Sequence, residues 1–174
     1  VYTYTYDANG LLTSKTDPSS QTATYEYDIL NRPKKESFGV VTTYTYDTCT
    51  NGVGALCEIT NSDYTQKLVY NKTGNVLTET KVIKDASGDK TFTNTYSYND
   101  LGQNTKITLP DSSYISYSYD TNGKQKTASI TRLINNVAST TQIVTDAKYN
   151  IDGTIKSLTS GNNVKTCYEY STTS

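Results

Sequence analysis

The chain has 174 residues, 34% hydrophobic and 19% charged, with 17 Tyr, two Phe, three Cys and no Trp, Met or His. A net charge of −1, from 16 basic and 17 acidic residues without a block of either sign, excludes an electrostatic footprint for nucleic acid. The absence of histidine excludes Ser–His, Cys–His and His–metal chemistry within the chain, and no apolar run approaches the length of a membrane-spanning helix.

The first element is a tyrosine stem, "YTY" at 4–6, followed by Asp7 and Gly10. Tyr4 and Tyr6 fall on one face of a strand, because strand side chains alternate with period two. Asp7 can hydrogen-bond its own backbone two residues on and start a turn. Gly10 supplies the positive φ that a hairpin loop demands. "LLTSKT" then returns as a second strand, and "DPSS" at 17–20 turns the chain again. One unit therefore reads strand, turn, strand, turn.

The second unit repeats this with Tyr25, Tyr27 and Asp28, and Asn31 takes the glycine position as the next best residue for that conformation. The third has Tyr44, Tyr46 and Asp47, but Thr50 stands where glycine is due and Gly52 comes two residues later, which predicts a longer turn. Cys49 and Cys57 flank that turn. Their spacing lets them face each other across a hairpin, as a disulfide if the chain is extracellular or as two buried thiols if it is kept reduced.

The fourth unit has Leu68 in place of the first tyrosine, then Tyr70, Asn71 and Gly74; the fifth has Tyr96, Tyr98, Asn99 and Gly102. Asn71 also heads an Asn-Lys-Thr acceptor pattern, which its place in the turn explains. The sixth has Tyr117, Tyr119, Asp120 and Gly123. In the seventh, Ala147 replaces the first tyrosine before Tyr149, Asn150 and Gly153, and the eighth is the incomplete stem Tyr168–Tyr170. Tyr64 and Tyr114 lie outside the stems, and Cys167 reads as a packed thiol without a partner.

The second stem tyrosine recurs at intervals of 21, 19, 24, 28, 21, 30 and 21 residues. Self-similarity at such a period marks a repeat array. The expectation is an all-β chain of consecutive antiparallel hairpins, roughly sixteen strands and no helix, forming a long sheet that twist makes coil. Equivalent tyrosines should share a face and stack in buried rows. The aspartates could form a calcium ladder or an acid pair, but their shared position after the stem favours Asx-turns.

The pattern Tyr-x-Tyr-Asp-x-x-Gly at about twenty-one residues resembles the YD-repeat or Rhs-repeat family. "YTYDANGLL", "YSYNDLGQN" and "YSYDTNGKQ" carry the resemblance, and "YDILNRP" keeps the family's arginine after the turn as Arg32. At the same position the chain has Leu11, Asn75, Gln103, Lys124 and Thr154 instead. The resemblance implies a β-sheet that spirals into a hollow shell, as in bacterial Rhs toxins, toxin-complex cocoon proteins and teneurins. It carries over no catalytic residue, metal or cofactor.

Residues 1–174 then read as about eight units, incomplete at both ends, cut from a larger secreted or surface protein. The function it implies is non-catalytic: a wall segment that encloses and delivers a toxin cargo. The alternative is an extracellular filament or adhesin of the same repeats, touching cell-surface glycans. The partners in either case are flanking repeats of the same or identical chains, with no nucleic acid and no membrane span.

Overall fold

The structure is a computed structural model and describes residues 1–135 and 137–170. It forms two compact bodies, residues 1–93 and 94–174. The first contains β1 (Thr3–Tyr6), β2 (Leu12–Thr16), β3 (Thr22–Tyr27), β4 (Pro33–Phe38), β5 (Val40–Tyr46), β6 (Leu56–Thr60), β7 (Tyr64–Tyr70) and β8 (Val76–Ile83). β9 (Lys90–Tyr98) runs into the second, which continues with β10 (Asn104–Thr108), β11 (Tyr114–Tyr119), β12 (Gln125–Ile134), β13 (Val137–Tyr149), β14 (Ile155–Ser160) and β15 (Lys165–Cys167). The described residues thus hold fifteen strands and no helix.

Within each body every strand pairs antiparallel with the next in sequence. Such an arrangement has a sheet but no second layer to close over it. Burial is correspondingly thin: Ala23, Cys57, Tyr70 and Ala128 are the buried hydrophobic residues. Stability must therefore come from cross-strand pairs and from neighbour-to-neighbour links, as in other one-dimensional arrays.

The register separates two faces in the first body. Tyr4, Lys15 and Ala23 lie in one row, Tyr25 opposes Glu36, and Tyr44 opposes Ile59, so the tyrosines share a face with scattered charges. The other face is rich in threonine and serine, whose hydroxyls pair across strands: Thr16 with Thr22 at 2.8 Å and Thr60 with Thr65 at 2.8 Å. Ion pairs Lys35–Glu26 (3.0 Å) and Lys67–Glu58 (3.5 Å) sit on it too.

Three expectations need correction. Stem tyrosines share a face but are not uniformly buried: Tyr4 is 47%, Tyr6 61% and Tyr170 53% exposed. Stems recur every second strand, about 10 Å apart, so the intervening strand holds their rings out of contact. Tyr2, just before β1, stacks on Tyr4 at 6.4 Å, whereas Tyr46, Tyr64 and Tyr149 carry a cation over the ring. Tyr168 and Tyr170 lie beyond the end of β15, not in a strand. Cys167 is exposed, because it closes a short three-residue strand.

Candidate functional site

The repeated chemistry of this chain lies along the row of turns that follow the stems. In the first turn, Gly10 N–H donates to Asp7 O (3.1 Å) and Asp7 N–H donates to Leu11 O (2.9 Å). Asp7 Oδ1 accepts from the amides of Asn9 and Leu11, both at 2.9 Å. Gly10 has φ +80° with open space around it. This is a type I turn closed by a left-handed residue, which forces a bulge in the returning strand. The ladder register accordingly shifts beside Tyr6, Tyr27, Tyr46, Tyr70, Tyr119 and Tyr149.

The same bonds recur after Asp28, Asn71, Asn99 and Asp120, with Asn31 at φ +62° and Gly74, Gly102, Gly123 and Gly153 between +74° and +85°. Asn150 keeps the backbone bonds but sends its amide to Thr154 Oγ1 (3.0 Å), and Asp152 Oδ1 takes the Thr154 amide. The return turns at 17–21, 109–113 and 160–164 use the same five-residue geometry, with Ser20, Ser112 and Asn163 at positive φ.

The second stem tyrosine does a specific job. Tyr27 hydroxyl donates to Leu12 O (3.0 Å), Tyr70 to Leu56 O (2.7 Å), Tyr119 to Asn104 O (2.6 Å), Tyr149 to Gln125 O (2.7 Å) and Tyr170 to Ile155 O (3.0 Å). Each acceptor opens the second strand of the preceding hairpin and sits opposite that hairpin's own stem tyrosine. On its other side the ladder starts only further along, at Ser14 in β2, Glu58 in β6 and Lys106 in β10. The hydroxyl thus satisfies a carbonyl left without a ladder partner where consecutive hairpins splay.

This latch makes a graded prediction. Tyr70 is 9% exposed, and burial raises its pKa. Tyr70→Phe should cost about 1 kcal/mol, the net worth of one such bond. Tyr170→Phe, at a half-exposed ring, should cost close to nothing. Urea unfolding of the two variants side by side is the check.

The residue after the turn reaches forward to the next turn. Arg32 Nε donates to Asp28 Oδ2 (2.7 Å), while its terminal nitrogens donate to Asp47 at 2.6 and 3.3 Å and its guanidinium covers the Tyr46 ring at 4.3 Å. Gln103 Nε2 donates to Gly123 O (2.6 Å), and Lys124 lies over Tyr149 at 5.9 Å. Desolvation pushes the Asp28 pKa up, but the Arg32 amide and guanidinium outweigh it and hold it below the ordinary 3.8. Asp47 is held below 3.8 by the Arg32 hydrogen bonds and then by the Gly54 amide.

A carboxyl with a depressed folded pKa contributes stability above its unfolded pKa and loses it as pH falls through the folded value. The Arg32 cluster should therefore weaken on acidification below about pH 4. Arg32→Gln should make the acid loss of thermal stability shallower. It should not abolish that loss, since Asp85, Asp111 and Asp152 are also depressed, by Ser87, Ser113 and Thr154. Melting curves across that range test it.

The third turn departs most. It spans Asp47 to Ala55, with positive φ at Asp47, Asn51 and Gly54 and not at Thr50. Asp47 here caps Gly54 N–H (2.6 Å) across the longer loop and also accepts from Arg32. Cys49 and Cys57 are joined in a disulfide with Cα atoms 5.4 Å apart. Gly52 packs against it: a Cβ there would meet Cys49 Sγ at 2.3 Å and Cys57 Sγ at 2.7 Å. The loop is tied to the next unit by Asn51 Nδ2 donating to Tyr70 O (2.9 Å) and Tyr70 N–H donating to Thr50 O (3.3 Å).

Consecutive antiparallel hairpins that reuse one turn, with latches and forward bridges between neighbours, define a class of protein, the all-β hairpin-repeat arrays. The RHS Repeat family model matches residues 6–37, and the turn within that segment recurs as far as Asn150–Thr154. In solved structures the chain is similar to TcdB2-TccC3-Cdc42 (14% identity, TM-score 0.64, 98% of this chain and 10% of that one). It is similar also to TcdB2-TccC3 without its hypervariable C-terminal region (15%, 0.65, again 98% and 10%). The Photorhabdus luminescens Tc holotoxin pore matches at 16% and 0.68, with the same coverage. At these identities the likeness is one of fold, and the chain spans about a tenth of the chains it matches. A comparison with curated proteins gave no match.

Proposed function

We propose that this chain is a non-catalytic wall segment of a larger secreted protein, whose RHS repeats enclose a toxic passenger and release it on delivery. The observation that supports this most is the coupling of consecutive hairpins. Within each body, latches from Tyr27, Tyr70, Tyr119 and Tyr149 and bridges from Arg32 and Gln103 join hairpins to their neighbours, so that strength resides in the sheet and no closed core is needed. Such a wall can extend by adding units, as a container requires. The fold likeness to TcdB2-TccC3 points the same way.

The Cys49–Cys57 disulfide supports an oxidising destination outside the cell. Its partners on this reading are flanking repeats of the same polypeptide and the enclosed passenger domain. The experiment is limited proteolysis of the intact polypeptide. A passenger that stays uncut while folded repeats surround it, and is cut once they are unfolded, supports enclosure. A passenger cut at the same rate in both states overturns it and leaves the filament.

A further inference from the structure

One strand separates the stems of neighbouring hairpins, and its residue opposite the first stem tyrosine sets the character of the gap between them. That residue is Lys15 opposite Tyr4, Glu36 opposite Tyr25, Ile59 opposite Tyr44, Ile107 opposite Tyr96 and Ala128 opposite Tyr117. Among these, Glu36 alone is a carboxylate. Ring faces are electronegative, so an anion among them is favoured when a cation shares the site. The gap over Glu36, between β3 and β5, is a cavity of about 330 Å³ lined by Tyr25, Tyr27, Tyr44, Tyr46, Glu36 and Leu56. Glu36 accepts from the Tyr44 hydroxyl through Oε2 (3.2 Å), leaving Oε1 for a ligand. Burial and then the Glu36 charge push the Tyr44 pKa up. No ammonium or guanidinium among the described residues pairs with Glu36: Lys35 is committed to Glu26, and Arg32 to Asp28 and Asp47. Other rings already hold a cation, with Arg32 over Tyr46 at 4.3 Å, Lys81 over Tyr64 at 4.5 Å and Lys106 over Tyr114 at 3.9 Å. Tyr25 and Tyr44 hold none among the described residues.

We propose that this cavity binds a quaternary ammonium group, the trimethylammonium head of a choline-like molecule. Tyrosine faces attract such a cation, and Glu36 supplies its counter-charge. A primary ammonium would bring three donors to a site with one free carboxylate oxygen, whereas a quaternary one brings none to satisfy. The volume suits a small head group, at the low end of ligand pockets. The same head occurs free in solution and on phospholipids, and the cavity offers both the same chemistry. This inference stands apart from the wall reading, and either can fail without the other.

The test is calorimetric titration of the intact polypeptide that carries this chain with choline chloride and, separately, with dimethylbutanol, the uncharged isostere that has carbon in place of nitrogen. The expected result is saturable choline binding, with the isostere at least about tenfold weaker for want of the charge. Glu36→Gln should weaken choline binding about fivefold, the loss of a half-exposed charge pair. Tyr44→Phe keeps the ring and should keep the binding, while Tyr44→Leu should lose it. Should Tyr44→Leu misfold, the Glu36→Gln series decides alone. Sedimentation with vesicles then separates the sources. Binding to phosphatidylcholine but not phosphatidylglycerol vesicles, weakened in Glu36→Gln, assigns the head to a lipid; choline binding without vesicle binding assigns it to a soluble molecule. Absence of choline binding overturns the proposal, as does equal affinity for the isostere or undiminished affinity in Glu36→Gln.

Discussion

Replacing Cys49 and Cys57 together by serine will lower the stability of the first body by about 2–3 kcal/mol, the loop-closure value for a short disulfide loop. The loss should not stop at residues 47–57. Asn51 and Thr50 hold the backbone of Tyr70, and Tyr70 in turn latches Leu56. Amide exchange should therefore accelerate in β6 and at the end of β7, while β1 to β3 stay protected. Gly52→Val should have a similar reach by another route, because its side chain would occupy the space of both sulfurs. Hydrogen exchange resolved by residue is the suitable readout, since repeat arrays open locally and one midpoint averages over units. Uniform acceleration along the whole chain would show a single cooperative body and contradict the nearest-neighbour account.

Gly74→Val should cost about 1–3 kcal/mol, and for a purely conformational reason. A Cβ at Gly74 meets nothing within 4 Å, yet the residue sits at φ +83°. A β-branched residue is strained there and asparagine much less, as Asn31 demonstrates in the equivalent position at φ +62°. Gly74→Asn should thus recover most of the loss. Urea unfolding of the pair separates backbone strain from packing, and equal losses in the two variants would mean that space, not φ, sets the requirement.

The repeating turn was legible in the sequence because it rests on two residues with narrow conformational roles, an Asp or Asn that caps amides and a glycine at positive φ. The return turns were legible only as turns. Ser20, Ser112 and Asn163 adopt the same left-handed conformation without glycine, so their chemistry hides the geometry. Tyr-x-Tyr disclosed a shared face but suggested stacking, since alternation says nothing about the distance between stems. A signal for the latch was present nonetheless. Seventeen Tyr against two Phe is a preference that packing alone does not explain, and a hydroxyl acceptor does. Gly52 could not be told from an ordinary turn glycine until the sulfurs beside it were placed.

The latch holds the second stem tyrosine over the strand before it. A wall built this way carries strength along the row of turns and leaves its faces free to differ from unit to unit.

The central claim is that these hairpins form part of an enclosing wall. Electron cryomicroscopy of the intact polypeptide that carries them tests it most directly. The account predicts a hollow shell whose wall contains these fifteen strands, with the Arg32 and Tyr70 links joining successive hairpins and passenger density inside. An open filament of the same hairpins, with no lumen and no enclosed density, would contradict it.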